Sequence, residues 1–320
     1  RMTLHNLYRE CKGFGTRSSM TRDQITAFRL EEFMNRRYEF RWNTVLGELE
    51  FRQRDSIHFH FRPADQRVRS SIGQNALKEG ISVWDRDVAR YLNSDAIPLY
   101  NPIEEYLNST GHWDGKDRIR ALADLVPCNN PYWRELFYRW FLSMTAHWQN
   151  IDRQHGNNTS PLLVGAQGYR KSTFCRILLP PELRCYFYTK TNSDRLNKDD
   201  LFSLTEFALI CFEELDGMRP AELNQLKAMV TMPYVNERAA YGRNKERHPH
   251  IASFCGTGNN VQFLTDPTGN RRWLPFEVSQ IRDPHLHAIP YELVYSQAYA
   301  LWKSGFCPVS YTHLTLPTKA

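Results

Sequence analysis

The chain has 320 residues, 41% of them hydrophobic and 24% charged, with 41 Lys and Arg against 35 Asp and Glu. That length holds two or three domains and a core that needs no disulfides, and a mean hydropathy of −0.59 with ordinary aromatic content excludes a disordered chain. No apolar run approaches the ~20 residues of a helical bilayer span, and no signal-peptide pattern opens the chain.

The net charge of +6 invites a nucleic-acid reading, but it is unevenly spread. Residues 1–69 carry 14 basic and 9 acidic side chains, and the remainder carries 27 and 26. The basic character therefore belongs to the first segment. Seven cysteines, at 11, 128, 175, 185, 211, 255 and 307, form no CxxC or zinc spacing. Reduced, mostly buried thiols in a cytoplasmic protein are expected.

Arg1 stands where an initiator Met would, and Val309–Ala320 has no helical period and resembles a translated sequencing adapter. The expectation is an internal or processed fragment whose residues 309–320 are a non-native tail. Residues 1–70 read as a small basic α+β module. Thr21–Arg37 has a helical pattern, and Tyr38–Arg52 alternates apolar and charged residues around Asn43–Gly47 as a hairpin does. Ser56–Phe61 reads as a further strand. This arginine-laced hairpin could contact nucleic acid, or be a half-buried edge with solvated arginines.

Residues 71–150 read as a helical region, with helices within Asn75–Asn93, from Pro102, and after the turn at Trp113–Ile119. In Tyr132–Trp148 the residues Trp133, Leu136, Phe137, Trp140, Phe141, Met144 and Trp148 recur at helical spacing, as a core stripe does. The polar stretch 151–160 marks a boundary, and residues 151–308 form the next domain.

That domain opens on Pro161–Val164, then Gly165-Ala-Gln-Gly-Tyr-Arg-Lys-Ser-Thr173, then Phe174–Leu179: strand, glycine-bearing loop, helix. Loop N–H groups can then converge on phosphates. Gly165, Gln167, Gly168, Arg170, Lys171, Ser172 and Thr173 are the candidate nucleotide-binding residues, with Lys171 on the β- and γ-phosphates and Ser172 on Mg²⁺. The usual pattern has glycine before the lysine, where this chain has Arg170. An arginine there needs a permitted backbone angle and must point away from the phosphates or add charge to them. Nucleotide binding without hydrolysis stays open on this ground.

A nucleotide site also needs acids for the metal and for water. Phe207–Phe212 is an apolar run without alternation, as in a strand buried on both faces, and ends in Glu213, Glu214 and Asp216. Glu213 is assigned to the metal's water shell and Glu214 to general-base work, with Asp216 as the fallback; a plain acidic helix start is the alternative. Pro220–Met229 reads as a helix, and Thr231–His250 as a loop-rich basic stretch. Ile251–Cys255 is a third apolar strand leading to Asn259, which either orients the attacking water or makes an Asx turn. After a turn at Asp266–Asn270, Arg271 and Arg272 precede a strand at Trp273–Val278. They either stabilise charge on the transferring phosphoryl, in cis or from a neighbouring subunit, or make structural ion pairs. The pairs His58/His60 and His285/His287 have no further ligand at metal spacing.

With these elements in order, the chain resembles the virulence-associated E family of P-loop ATPases, carried by phages and mobile elements and related to superfamily 3 helicases. The resemblance rests on Gly165–Phe174, Glu214–Gly217, Leu226-Lys227, Arg238 with Tyr241–Arg243, Gly256–Asn259, and above all Leu264–Trp273. Pro102–Leu107 and Trp113–Ile119 match the helical region these proteins carry ahead of the ATPase. Gly258 departs from the family's usual Thr, and Bacteroides-like forms often carry a basic residue at the position of Arg170. The resemblance implies an α/β P-loop NTPase core, a mostly parallel sheet flanked by helices, and Mg²⁺-dependent ATP hydrolysis. It further implies single-stranded or forked DNA as partner, a ring-shaped homo-oligomer, possible hexamers included, and an associated primase module. By the same analogy Arg243, Lys245 and Arg247 sit on a DNA-contacting hairpin. A non-hydrolysing DNA-binding regulator and a small-molecule phosphotransferase are the alternatives.

Overall fold

The computed structural model describes residues 20–57, 59–149, 157, 159–191, 198–218, 220–237, 246–260, 272–283 and 286–305. They fall into two compact units, divided between Asn101 and Pro102. Among them no helix is long and apolar enough to cross a membrane.

The first unit opens on α1 (Arg22–Arg37). Thr21 Oγ1 accepts from the Gln24 N–H and Gln24 Oε1 accepts from the Thr21 N–H, a reciprocal cap that satisfies two of the helix's free donors. Strands β1 (Tyr38–Asn43) and β2 (Glu48–Gln53) form the expected antiparallel hairpin, with Phe40 opposite Phe51. Its turn is set by Asn43 Oδ1, which accepts from Val45 and Leu46 N–H, and by Gly47 at φ +64°. The described residues of the expected strand, 56, 57 and 59–61, are not in one: the next strand among the described residues, β3, is Arg62–Pro63, and proline's missing N–H suits it to an edge. Helices α2 (Gln66–Lys78) and α3 (Asp85–Leu92) follow, and β4 (Leu99–Tyr100) completes a sheet of order β3-β2-β1-β4. Phe33, Phe51, Ile72, Ala76 and Leu92 share its core.

The hairpin arginines are already partnered. Arg41 bonds Glu50 at 2.5 Å and lies over the Tyr100 ring at 3.5 Å, Arg52 pairs with Glu39 at 2.8 Å, and Arg37 with Glu79 at 2.7 Å. These pairs engage the arginines within the fold and favour the half-buried edge over a phosphate-binding surface.

The second unit is built on a five-stranded, all-parallel sheet of order β11-β5-β10-β7-β6. Its strands are β5 (Ser160–Val164), β6 (Phe187–Thr191), β7 (Leu209–Glu213), β10 (Ser253–Gly258) and β11 (Trp273–Glu277). The flanking helices are α4 (Pro102–Ser109), α5 (Ile119–Ala123), α6 (Trp133–Gln149), α7 (Lys171–Ile177), α8 (Lys198–Glu206), α9 (Pro220–Val230) and α10 (Tyr291–Lys303). A separate antiparallel pair, β8 (Tyr234–Glu237) and β9 (Glu246–Pro249), precedes β10. Burial on both faces explains why β5, β7 and β10 show no apolar–polar alternation.

The aromatic stripe of α6 is core. Trp133 meets Phe276 of β11, Phe137 meets Phe174 of α7, and Phe141 meets Tyr295 of α10. The Trp113–Ile119 turn closes on itself: Trp113 Nε1–H donates to Lys116 O, and Arg118 forms two bonds to Asp114. Gln297 Oε1 on α10 accepts from the Arg118 and Ile119 N–H groups, at 2.7 and 3.1 Å, tying this turn to the last helix.

Candidate nucleotide site

Open parallel sheets bind ligands at the carboxyl ends of their strands. Three such ends meet here. Register pairs Val164 with Gly258, and Phe212 with Gly256, so β10 lies between the loop-bearing β5 and the acid-bearing β7. The Gly165 N–H bonds Gly258 O at 3.2 Å, stitching the start of the loop to the end of the middle strand.

The loop runs from Gly165 to Arg170 and turns directly into α7. An added Cβ at Gly165 would stand 2.6 Å from the Val278 carbonyl oxygen, so only glycine lets β5 leave the sheet beside the segment after β11. Gly168 turns the chain at φ +87°. Gln167, Gly168 and Thr173 are exposed, and Ser172 is half-buried at the start of α7. Lys171 is buried, and its Nζ folds back to donate to Gly165 O at 2.6 Å and Ala166 O at 2.9 Å. Burial lowers its pKa, while the charge of Asp216 acts the other way.

Arg170 takes the left-handed conformation, φ +62° and ψ +26°, that the usual glycine adopts without strain. Its guanidinium donates to Ile281 O at 3.3 Å and pairs with Asp283 at 3.4 Å, while the Ile281 N–H returns a bond to Tyr169 O. Of the two directions open to this side chain, it takes the one along residues 281–283.

The acids follow β7. Glu213 ends the strand half-buried, and Glu214 is exposed in a left-handed turn at φ +52°. A short 3-10 turn, Leu215–Gly217, then brings in Asp216, whose Oδ2 accepts from the Asn259 N–H at 3.2 Å and whose Oδ1 is buried without a hydrogen-bond partner. Leu215 anchors this turn on β10: a Cβ on Gly256 would stand 2.5 Å from Leu215 Cδ1 and 3.1 Å from the Trp273 ring. Sequence spacing made Asp216 only a fallback; its link to both Lys171 and Asn259 is visible once β10 separates β5 from β7.

The structure thus gathers Gly165, Arg170, Lys171, Ser172, Glu213, Glu214, Asp216 and Asn259 at one sheet edge. Arg272 is elsewhere. Trp273 pairs with Ser160, at the amino-terminal end of β5, so Arg272 lies about five strand residues, ~16 Å, from the loop edge. Arg271, Arg243 and Lys245 lie outside the described residues, as does the side chain of Arg247, whose backbone pairs with Asn236 in the β8–β9 ladder.

The sequence profile of the virulence-associated protein E-like domain matches residues 107–316. The chain belongs to that family. The match covers the loop, the acidic turn and Asn259, and membership in the virulence-associated protein E-like family implies nucleotide binding. Among curated proteins none matches the chain. Among solved structures it is similar to three of the NrS-1 C-terminal region in apo form. The first is 11% identical with a TM-score of 0.47, covering 86% of this chain and 66% of that one. A second is 11% identical with a TM-score of 0.49, covering 88% and 70%, and a third 12% identical with a TM-score of 0.42, covering 88% and 69%. The chain therefore spans about two-thirds of the length of those structures.

Proposed function

We propose that this chain is a Mg²⁺-dependent, helicase-like P-loop ATPase that acts on DNA. The observation that carries the reading is the meeting of Lys171, Asp216 and Asn259 at the carboxyl ends of β5, β7 and β10. Lys171 and the loop amides would bind the triphosphate; the carbonyls that now hold the amine are weak partners that a phosphate can replace. The residues fit a magnesium ion: Ser172 and Glu213 offer oxygen ligands, and the unpartnered Asp216 Oδ1 can accept from a metal-bound water. Bound there, Mg²⁺ would neutralise phosphate charge. In this reading Glu214 would take a proton from the attacking water and Asn259 would orient that water.

DNA, single-stranded or forked, is assigned to the β8–β9 hairpin, with Arg243, Lys245 and Arg247 as its cations. The distance of Arg272 from the loop edge supports Arg271 and Arg272 serving the site of a neighbouring protomer in a ring. An accompanying primase module and a role in a phage or mobile element complete the reading, from family likeness alone.

The deciding experiment is phosphate release with and without single-stranded DNA. Lys171→Ala should abolish turnover; undiminished hydrolysis by that variant would remove the assignment. A second reading, a nucleotide-binding regulator that does not hydrolyse, is favoured by one observation: Arg170 keeps a glycine's backbone angle while tied to Asp283. Tight nucleotide binding without phosphate release would select it.

A further inference from the structure

Three of the seven cysteines meet beneath the nucleotide loop. Cys175 lies on α7 one turn after Lys171, Cys211 on β7 two residues before Glu213, and Cys255 on β10 four residues before Asn259. Cys211 and Cys255 are direct partners in the parallel ladder. All three side chains are buried, and their Sγ atoms lie within 4.8 Å of one another.

Three sulfurs around one ion with bonds of ~2.3 Å stand ~4 Å apart in a trigonal arrangement. Small χ1 rotations that move each sulfur by at most about half an ångström would bring this cluster to that spacing. A sulfur-only set suits soft closed-shell cations and not Mg²⁺ or Ca²⁺, which take oxygen. We propose that Cys175, Cys211 and Cys255 bind one thiophilic metal ion of the Zn²⁺, Cd²⁺ or Cu⁺ class, separate from the magnesium site above them.

Binding replaces each S–H bond used by a metal–sulfur bond and releases the proton to solvent; no electron changes hands. A bound ion would pin α7, β7 and β10 together, the elements that carry Lys171 and Glu213 and lead directly into Asn259.

The test uses the full chain with Cys11→Ser, Cys128→Ser, Cys185→Ser and Cys307→Ser, reduced and titrated with Cd²⁺ without oxygen. Cadmium–thiolate charge-transfer absorption should saturate at one equivalent, and adding Cys175→Ala should remove that saturation. A folded four-serine variant with no such absorption overturns the proposal, and so does absorption undiminished by Cys175→Ala. If the serine variant does not fold, the wild-type chain and Cys175→Ala/Cys211→Ala/Cys255→Ala are compared for Cd²⁺ retained after gel filtration. A difference of one ion per chain supports the site, and no difference overturns it.

Discussion

The position of Arg272 makes the ring proposal testable without imaging a ring. Trp273 faces Ser160 and Glu277 faces Val164, so β11 spans the sheet from its amino-terminal to its carboxyl-terminal edge. At ~3.3 Å per residue, Arg272 is ~16 Å from the nucleotide loop, farther than an arginine side chain reaches. An arginine that stabilises the transferring phosphoryl is worth about 10³-fold or more in turnover. Arg272→Ala and Lys171→Ala should therefore each be nearly inactive alone. In a head-to-tail ring each site is shared between two protomers, so an equal mixture makes about a quarter of the interfaces whole, with Lys171 from one protomer and Arg272 from the next. ATPase activity after mixing should rise to about a quarter of the wild-type rate, far above either variant. No recovery at any mixing ratio, with both variants folded, would refute action across the interface.

Three further outcomes follow from the same contacts. Arg170→Ala loses the Ile281 and Asp283 contacts and keeps the left-handed strain, whereas Arg170→Gly loses the contacts but relieves it; the glycine variant should be the more stable by about 1 kcal/mol. Equal melting temperatures would contradict this. Gly256→Ala forces a Cβ against Leu215 and Trp273, which costs about 1–3 kcal/mol and should lower kcat more than it raises KM; adding Leu215→Ala should restore part of the loss in urea unfolding and in kinetics. Burial lowers the pKa of His250 from 6.5, so the folded state binds its proton less readily than the unfolded one. Its share of stability is full above that value and declines as pH falls through it toward the folded pKa. Replacement by Gln should flatten urea midpoints between about pH 5 and 7.

The parallel core was legible because doubly buried strands cannot alternate: Leu162–Val164, Leu209–Phe212 and Phe254–Cys255 read as apolar runs for that reason. The aromatic residues of α6 were legible as core by their period. The sheet order was not, because no local pattern states that a strand formed last of three lies between the other two. Without that order, Asp216 could not be joined to Lys171 and Asn259, nor Arg272 separated from the loop. The first unit was legible only as two alternatives. Its arginines suit a nucleic-acid surface or a half-buried edge, and the pairs with Glu39, Glu50 and Glu79 that decide between them run across strands and between helices, where sequence distance conceals them.

Strand β10 emerges as the mechanical centre of the second unit. Its carboxyl end holds the loop through Gly258, its Gly256 seats the acidic turn, and Asn259 follows it directly. Its amino end follows the β8–β9 hairpin within a few residues, with His250 N–H bonded to Pro233 O and His250 Nδ1 at 2.7 Å from Met232 O. A strand paired on both sides does not bend easily, so a displacement imposed at Asn259 must appear at the hairpin or break ladder bonds to β5 or β7. That is the physical requirement for coupling: a stiff element whose position both ends can bias. Nucleotide chemistry at one end and a basic hairpin at the other would then share one rigid strand, with Cys255 midway along it, where a metal crosslink to α7 and β7 would set how far it can move.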